Sequence, residues 1–420
     1  MSSRLKGLAL GITIGCAAVF LTGTMVTRNL AVEGTYTYLK LFNEVLSLVR
    51  SSYVDEVNTD SLMKGAYEGM LAELDPFSEY LTAQEYAEYS QEAADASKGA
   101  HGARRLVDPG LRVARKEGIA LVVAVKSGSD ADVKGITPGD HLRRIGDKST
   151  REMPLYQIED ALAGAPGTSV AVSVARREEP RKIDTDLARR ETAPESVTFE
   201  VADLKEGLGV IRIPHFGAGI ANEVAAALQR ADKQRVRRLL VDLRGNAWGG
   251  MEEAARTAGL FVGDTVVARL KSKETVLEEI KSGHGKSSYS GMVAILMSNS
   301  TAEAAEMFAA ALHDGRGASL LGEASFGVGA VQDYIPLKNG AWLKLSVKKY
   351  VSPSGISWHG TGLKPDKIVT VTQENLKPAE RLKQQLKQAV DVLRSLAPGT
   401  PVAGIHAGST SVPPGGTGGL

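Results

Sequence analysis

The sequence contains almost no cysteine and no excess of charge of either sign. Cys16 is the only cysteine, so an intramolecular disulfide bond is excluded, and cysteine usage says nothing about the redox state of the compartment. The 50 lysine and arginine residues balance 49 aspartate and glutamate residues, and the resulting net charge of +1 argues against nucleic acid as a partner. The seven histidines show no metal-ligand spacing, so we predict neither a metal nor a cofactor.

One long uncharged and largely apolar run covers residues 7–26. Its 20 residues are about the length needed to cross ~30 Å of hydrocarbon. Arg4 and Lys6 precede it, and the positive-inside rule then places the rest of the chain outside the cytoplasm. We predict that residues 1–30 form an uncleaved membrane anchor of a periplasmic or extracytoplasmic protein of the cell envelope. A cleaved signal peptide and a buried soluble helix are the alternatives.

The rest of the chain changes character along its length. Apolar residues first recur at helical spacing, and Thr82 with Glu85 three residues later predicts a capping box at a helix start. Short β-branched runs broken by Gly and Pro follow, and then strand-like and helix-like segments alternate, which indicates an α/β fold. The predicted segments are a helical region (31–97), a β-rich module (98–191), an α/β core (192–372), a C-terminal helix (373–397) and a disordered tail (398–420).

Five short motifs occur in order from the helical region to the end of the core. They are Leu74–Leu81, Gly135–Asp140, Asp242–Asn246, Phe326–Gln332 and Gly362–Asp366. Together they resemble the motifs of the C-terminal processing peptidases, or tail-specific proteases, of serine peptidase family S41. The resemblance covers residues 34–370. It implies an S41 protease core of the ClpP/crotonase-like type, a PDZ domain inserted over residues 98–191 and an N-terminal helical region.

The two catalytic positions of this family carry other residues here. The family has Ser-Ala-Ser-Ala-Ser-Glu with the middle serine as nucleophile, whereas this chain has Glu303 at that position of Thr301–Glu306. The family's general base is the lysine of Phe-Gly-Lys-Gly, and its equivalent here is Val328. Gln332 and Asp314, which the resemblance links to activity in some members, are kept. The resemblance therefore indicates an S41 member without an intact catalytic pair.

The chemistry of the two substituted residues explains why we predict inactivity. A serine hydroxyl needs a base to remove its proton, and Val328 has no lone pair to accept one. A carboxylate at Glu303 would place negative charge where the reaction must stabilise an oxyanion. A structural interpretation is equally open: Glu303 is a solvated residue in the first turn of a helix, where the helix dipole favours a carboxylate, and Val328 is a packing residue in a glycine-rich turn. Gln332 is then simply a polar strand residue.

The segment that would form the oxyanion hole is also altered. The family pattern Asp-Leu-Arg-x-Asn-Pro-Gly-Gly becomes Asp242–Gly250, with one residue added and the proline lost. Gly249 and Gly250 could still present backbone N–H groups to an anion, or they could serve only a tight turn between a strand and a helix.

The PDZ-like module supplies a candidate peptide-binding site. PDZ domains add a peptide as an extra strand and bind its terminal carboxylate with backbone N–H groups of a glycine-containing loop. The candidate residues are Gly110, Leu111, Arg112 and Val113 in the loop and Ile158 and Leu162 on the opposite helix. Pro109 removes one N–H donor from this loop.

Three functions remain open from the sequence. The first is an inactive S41 homologue that binds peptides or unfolded protein C-termini and acts as a scaffold or as a regulator of an active homologous protease. The second is an active endopeptidase that cuts near C-termini with a relocated pair from Ser298, Ser300, Thr301 or Ser325 and Lys338 or Lys344. The third is a structural envelope protein whose module only docks. The predicted contacts are the membrane, through residues 7–26, and further copies of the chain in a homo-oligomer, but not nucleic acid.

Overall fold

The computed structural model describes residues 36–97, 107–116, 118–176, 182–273, 275–283, 285–371 and 378–396. The predicted anchor and the predicted disordered tail lie outside these described residues. Within them, none of the helices combines the length and the apolar composition that a membrane span requires.

The chain divides into two compact units, Met1–Gly69 and Met70–Leu420. In the first unit, residues 36–52 form helix α1. Helix α2 (Thr59–Ala72) begins in this unit, and Asn58 Oδ1 accepts the N–H of Ser61 at 3.1 Å to cap its first turn.

The second unit opens with strand β1 (Glu79–Leu81) and helix α3 (Ala83–Ser97). The predicted capping box of α3 is present. The N–H of Thr82 donates to Glu85 Oε2 at 2.7 Å, and the N–H of Glu85 donates back to Thr82 Oγ1 at 3.2 Å.

A β-rich module follows. Its elements are β2 (Leu111–Lys116), β3 (Ile119–Val125), α4 (Asp130–Val133), β4 (His141–Ile145), β5 (Lys148–Ser149), α5 (Leu155–Leu162), β6 (Ser169–Ala175) and β7 (Lys182–Ala188). The strands form an antiparallel sheet in the order β2-β3-β4-β6-β7, with β5 beside β4. Leu142, Val174 and Leu187 pack under α5 in a core of their own. That this module is a PDZ domain stays a prediction.

The α/β core alternates strands and helices as predicted. Its elements are β8 (Thr198–Asp203), β9 (Leu208–Arg212), α6 (Ile220–Lys233), β10 (Arg238–Asp242), α7 (Met251–Val262), β11 (Val266–Ser272), β12 (Thr275–Lys281), β13 (Met292–Met297), α8 (Ala304–Arg316), β14 (Ser319–Gly322), β15 (Ala330–Pro336), β16 (Trp342–Val351), β17 (Lys367–Ile368) and α9 (Pro378–Ser395). The central sheet has the order β17-β14-β13-β10-β9-β8 and is parallel except for β8. A second, antiparallel sheet has the order β1-β16-β11-β12, with β15 also paired to β16.

Both faces of the central sheet are covered, which explains the nearly continuous apolar runs of its strands. Alternate residues of β10 and β13 point to opposite faces. Leu239 and Ile295 join the cluster that contains α6, α7 and α8, whereas Leu240 and Leu296 join the cluster that contains α9. The carboxyl ends of these strands are followed by the loops that form the candidate site.

Candidate functional site

Glu303 lies at the N-terminal end of α8 in a backbone conformation that non-glycine residues rarely adopt. Its φ is 55° and its ψ is −116°, and it is the N-cap, so α8 begins one residue later at Ala304. The expectation that Glu303 occupies the first helical turn is therefore wrong. Such a backbone costs on the order of 1–3 kcal/mol and persists only where the surroundings enforce it.

Glu306 is the residue that enforces this geometry. It is fully buried and accepts the N–H of Glu303 at 3.0 Å, the N–H of Gly327 at 2.7 Å and the N–H of Val328 at 2.8 Å. The hydroxyl of Ser325 donates to it as well. Burial raises the pKa of Glu306 to about 7, against the opposing effect of these hydrogen bonds. One carboxylate thus joins the family's nucleophile position to the loop that carries the family's base position.

Val328 packs in a small apolar cluster between the module and the core. This bridging cluster consists of Phe77, Ala114, Val123, Ala124, Ala247 and Ala302, with the partly buried Trp248, Phe326 and Val328 packed against it. The loop of Val328 is held by close packing, because a Cβ on Gly329 would lie 2.6 Å from Trp358 Nε1. The predicted packing role of Val328 therefore agrees with its contacts.

Arg112 connects the module to the nucleophile position. Its guanidinium projects from β2 and forms an ion pair with the carboxylate of Glu303. Burial lowers the pKa of Arg112, but the attraction of Glu303 outweighs burial and the pKa is raised above its ordinary value. Glu303 is therefore partly buried and ion-paired, unlike the solvated residue of the structural interpretation. Its charge is matched by a residue of the opposite module.

The predicted oxyanion glycines form a tight turn. Gly249 has a φ of 113°, and a Cβ there would lie 2.2 Å from the carbonyl of Phe216. The N–H of Gly250 donates to that same carbonyl at 2.9 Å. The backbone donor of Gly250 is thus used inside the fold, which favours the structural interpretation for this residue.

A cavity of 780 Å³ lies between the module and the core. Its lining includes Gly110, Lys126, Arg190, Trp248 and Gly249. Its cationic groups have partners: Lys126 donates to the carbonyl of Thr192 at 2.6 Å, and Arg190 pairs with Asp130 at 2.7 Å. The volume is within the usual range of ligand pockets, about 300–1,000 Å³.

The predicted peptide-binding residues of the module are mostly occupied or buried. The N–H of Gly110 donates to the carboxylate of Asp108 at 2.6 Å. The four apolar residues are only 0–7% exposed and pack in the module's core: Leu111, Val113, Ile158 and Leu162.

Gln332 and Asp314 lie on different elements of the core. Gln332 is a half-buried residue of β15 opposite Ser346. Asp314 lies near the other end of α8, ~16 Å along the helix axis from Glu303 at 1.5 Å per residue. Asp314 Oδ2 accepts the N–H of Ser354 at 2.7 Å, so the structure does not bring Asp314 to the site.

The hydroxyls considered for a relocated pair are bonded to other groups. Thr301 donates to the carbonyl of Leu243 at 2.9 Å, Ser300 to Asn299 Oδ1 at 3.2 Å and Ser325 to Glu306. Lys344 donates to Glu79 at 3.5 Å, and Lys338 is exposed. Ser298 accepts the N–H of Ser300 at 3.3 Å. In the part of the chain that the structure describes, neither lysine is hydrogen-bonded to any of these hydroxyls, and no cluster of His, Cys, Asp or Glu is placed to hold a metal ion.

The fold is similar to that of a solved protease structure. It matches the photosystem II D1 C-terminal processing protease with a TM-score of 0.62 and 23% identity, over 84% of this chain and 97% of that one. Residues 207–369 match the Peptidase family S41, and residues 22–85 match the N-terminal domain of the activating protease CtpB.

Curated relatives agree with this fold. The chain is 31% identical over 332 residues to the "Probable CtpA-like serine protease" of Staphylococcus aureus (strain MRSA252), covering 78% of this chain and 64% of the relative. The protein of the same name from Staphylococcus epidermidis is 30% identical over 333 residues, covering 78% of this chain and 65% of the relative. The chain thus spans slightly less than two thirds of these relatives. Residues 207–369 are thus similar to peptidase family S41.

Proposed function

We propose that this chain is proteolytically inactive and binds polypeptide segments in the cleft between its β-rich module and its core. The observation that carries the proposal is the occupation of both catalytic positions. Glu303 stands at the nucleophile position and is ion-paired with Arg112, while Val328 stands at the base position and packs in the bridging cluster.

Neither residue can supply the chemistry that the relatives' name implies. Attack on an amide needs a nucleophile and a base that takes its proton, and the loss of both leaves at most residual catalysis. The ion pair also uses Glu303 as a contact between the module and the core. These two positions therefore support binding rather than cleavage.

The ligand is inferred from the family and from the cavity. Members of a peptidase family act on polypeptides, and 780 Å³ accommodates a few residues of an extended chain. We place this binding in the cell envelope, with residues 7–26 as a membrane anchor, and assign the chain a role as a scaffold or as a regulator of an active homologue. This location and this role rest on the sequence.

A cleavage assay tests the inactive state. The full chain is incubated with an unfolded protein that ends in an apolar C-terminus, and fragments are followed by mass spectrometry. We expect no cleavage above a no-protein control. Cleavage that is abolished by Ser300→Ala or Ser325→Ala would overturn the proposal in favour of a relocated catalytic pair.

Binding is tested by filling the cavity. Ser127 is an exposed residue that lines it, and Ser127→Trp adds a large side chain there. We expect the affinity for a fluorescent unfolded polypeptide to fall about tenfold, or ~1.4 kcal/mol. Lys205→Trp, at an exposed turn between β8 and β9, is the matched control and leaves binding unchanged. If Ser127→Trp and Lys205→Trp bind the polypeptide equally well, the ligand binds outside this cavity.

A further inference from the structure

The loop over residues 108–113 is the segment that the resemblance assigns to capture of a terminal carboxylate. Its remaining glycine donor is already used, because the N–H of Gly110 donates to Asp108 Oδ1 at 2.6 Å. Pro109 has no N–H to offer. Gly110 has a φ of 89°, and a Cβ there would lie 2.2 Å from Ser129 Cβ, so close packing holds the loop in this form. The chain's own carboxylate thus sits where the carboxylate of a ligand would bind.

The apolar part of the predicted groove is closed as well. Leu111 and Val113 on β2 are 7% and 4% exposed, and Ile158 and Leu162 on α5 are 0% and 2% exposed. These side chains pack against one another in the module's core. A C-terminal apolar side chain of a ligand would have to displace them, at the cost of the contacts they make.

Arg112, the basic residue of the same loop region, lies within electrostatic reach of Asp108 and of Glu159 on α5, but its hydrogen-bond partner is in the core. Its guanidinium is paired with Glu303 of the core. The Gly110 N–H, the apolar side chains of β2 and α5 and the Arg112 guanidinium could each recognise a C-terminus. All three are already engaged within the protein.

We propose that the module does not select free C-termini, that Asp108 is the residue that determines this, and that the cleft takes internal segments of unfolded polypeptides. The inference rests on the proposed function, which it deepens by naming the ligand class. A ligand carboxylate brought to Gly110 would meet the negative charge of Asp108 and find the Gly110 N–H already donating. An internal segment brings neutral backbone groups and no terminal charge. Both Asp108 and Gly110 line the 780 Å³ cavity, so a segment bound there lies directly beside them.

The test compares one fluorescent peptide with a free C-terminal carboxylate and the same peptide with a C-terminal amide. Wild type is expected to bind the two with affinities within about twofold of each other. Asp108→Ala frees the Gly110 donor and removes the charge, and we expect it to bind the free acid at least about fivefold more tightly than the amide. Asp108→Asn keeps an oxygen acceptor for Gly110, so its preference should stay near that of wild type. A wild-type preference of about tenfold for the free acid would overturn the inference.

A second measurement remains decisive if the peptides bind weakly or Asp108→Ala is unstable. Hydrogen exchange of the Gly110 amide is followed by NMR in the full chain labelled with ¹⁵N-glycine. We expect protection in wild type and in Asp108→Asn, and rapid exchange in Asp108→Ala. An unprotected Gly110 in wild type contradicts the inference alone, whereas failure of wild type to bind any unfolded chain contradicts the proposed function alone.

Discussion

Glu306 accepts hydrogen bonds from both halves of the candidate site. The N–H of Glu303 and the N–H of Val328 share one of its oxygens, and Gly327 and Ser325 donate to the other. The strained backbone of Glu303 and the position of the Val328 loop therefore depend on one buried side chain. The sequence showed Glu306 only as a residue that keeps the register of the family motif, because its partners lie about 20 residues away along the chain.

Glu306→Gln should destabilise the protein by about 1–3 kcal/mol. A glutamine amide nitrogen would replace one carboxylate oxygen and face either the N–H of Gly327 or those of Glu303 and Val328, which leaves at least one buried donor without an acceptor. The free energy of unfolding is measured by urea titration. Glu253→Gln is the control, since Glu253 is also buried and accepts one backbone N–H, that of Ala221. If Glu306→Gln lowers the free energy of unfolding no more than Glu253→Gln does, Glu306 does not hold the two halves of the candidate site together.

His313 makes stability depend on pH. A hydrogen bond with Asp314 at 3.2 Å and the carboxylate of Asp366 at 3.7 Å raise the pKa of His313 to about 9, against an opposing effect of burial. A raised histidine pKa means that the folded state binds the proton more tightly. This contribution is complete below pH 6.5 and is lost as the pH rises through 9.

Between pH 6 and 9.5 we expect the free energy of unfolding to fall by ~3 kcal/mol at most, because the pKa of His313 lies about 2.5 above its ordinary value. Urea titrations across this range measure it, and His313→Gln should remove most of the slope. Asp314, whose pKa is lowered to about 2, stays charged throughout and does not produce the drop. A variant with the same pH dependence as wild type would show that another group is responsible.

The contact between β2 and α8 is the element-scale feature that distinguishes this site. Arg112 and Glu303 join the module to the core. Each side chain should therefore contribute more to the free energy of unfolding when the other is present. A double-mutant cycle with Arg112→Ala and Glu303→Ala is expected to give a coupling energy of about 0.5–1 kcal/mol, because both side chains keep partial exposure. The coupling should shrink in 1 M salt. Additive effects of the two substitutions would mean that the pair does not stabilise docking of the module.

Some elements could be predicted from the sequence and others could not. The capping box of α3 and the helix α5 followed from local patterns, since each depends on neighbours within one or two turns. Glu303 was expected in the first turn of α8 and is instead its N-cap, because its backbone is set by Glu306 and not by helix propensity. The hairpin of β11 and β12 was missed, because β12 is exposed on both faces and shows no alternation of apolar and polar residues.

At the scale of the whole molecule, the assignment of Glu303 and Val328 to the family's catalytic positions stays a prediction, and their surroundings could not be predicted from the motifs. The Arg112–Glu303 contact joins residues 191 positions apart, and it depends on how the module docks on the core. The bridging cluster likewise combines residues from the module and the core. Such contacts have no local signature in a single sequence, so neither interpretation of Glu303 that the sequence left open included its ion pair with Arg112.

The central claim is that this chain does not cleave polypeptides because Glu303 and Val328 stand where the S41 resemblance places the nucleophile and the base. The most direct measurement is the rate at which an unfolded protein is cleaved by wild type, by Glu303→Ser, by Val328→Lys and by the double variant. A lysine in the bridging cluster would be partly desolvated, which lowers its pKa toward that of a usable base. The account predicts no cleavage by wild type or either single variant and measurable cleavage by the double variant. Cleavage by wild type at a rate that the double variant does not exceed would contradict it.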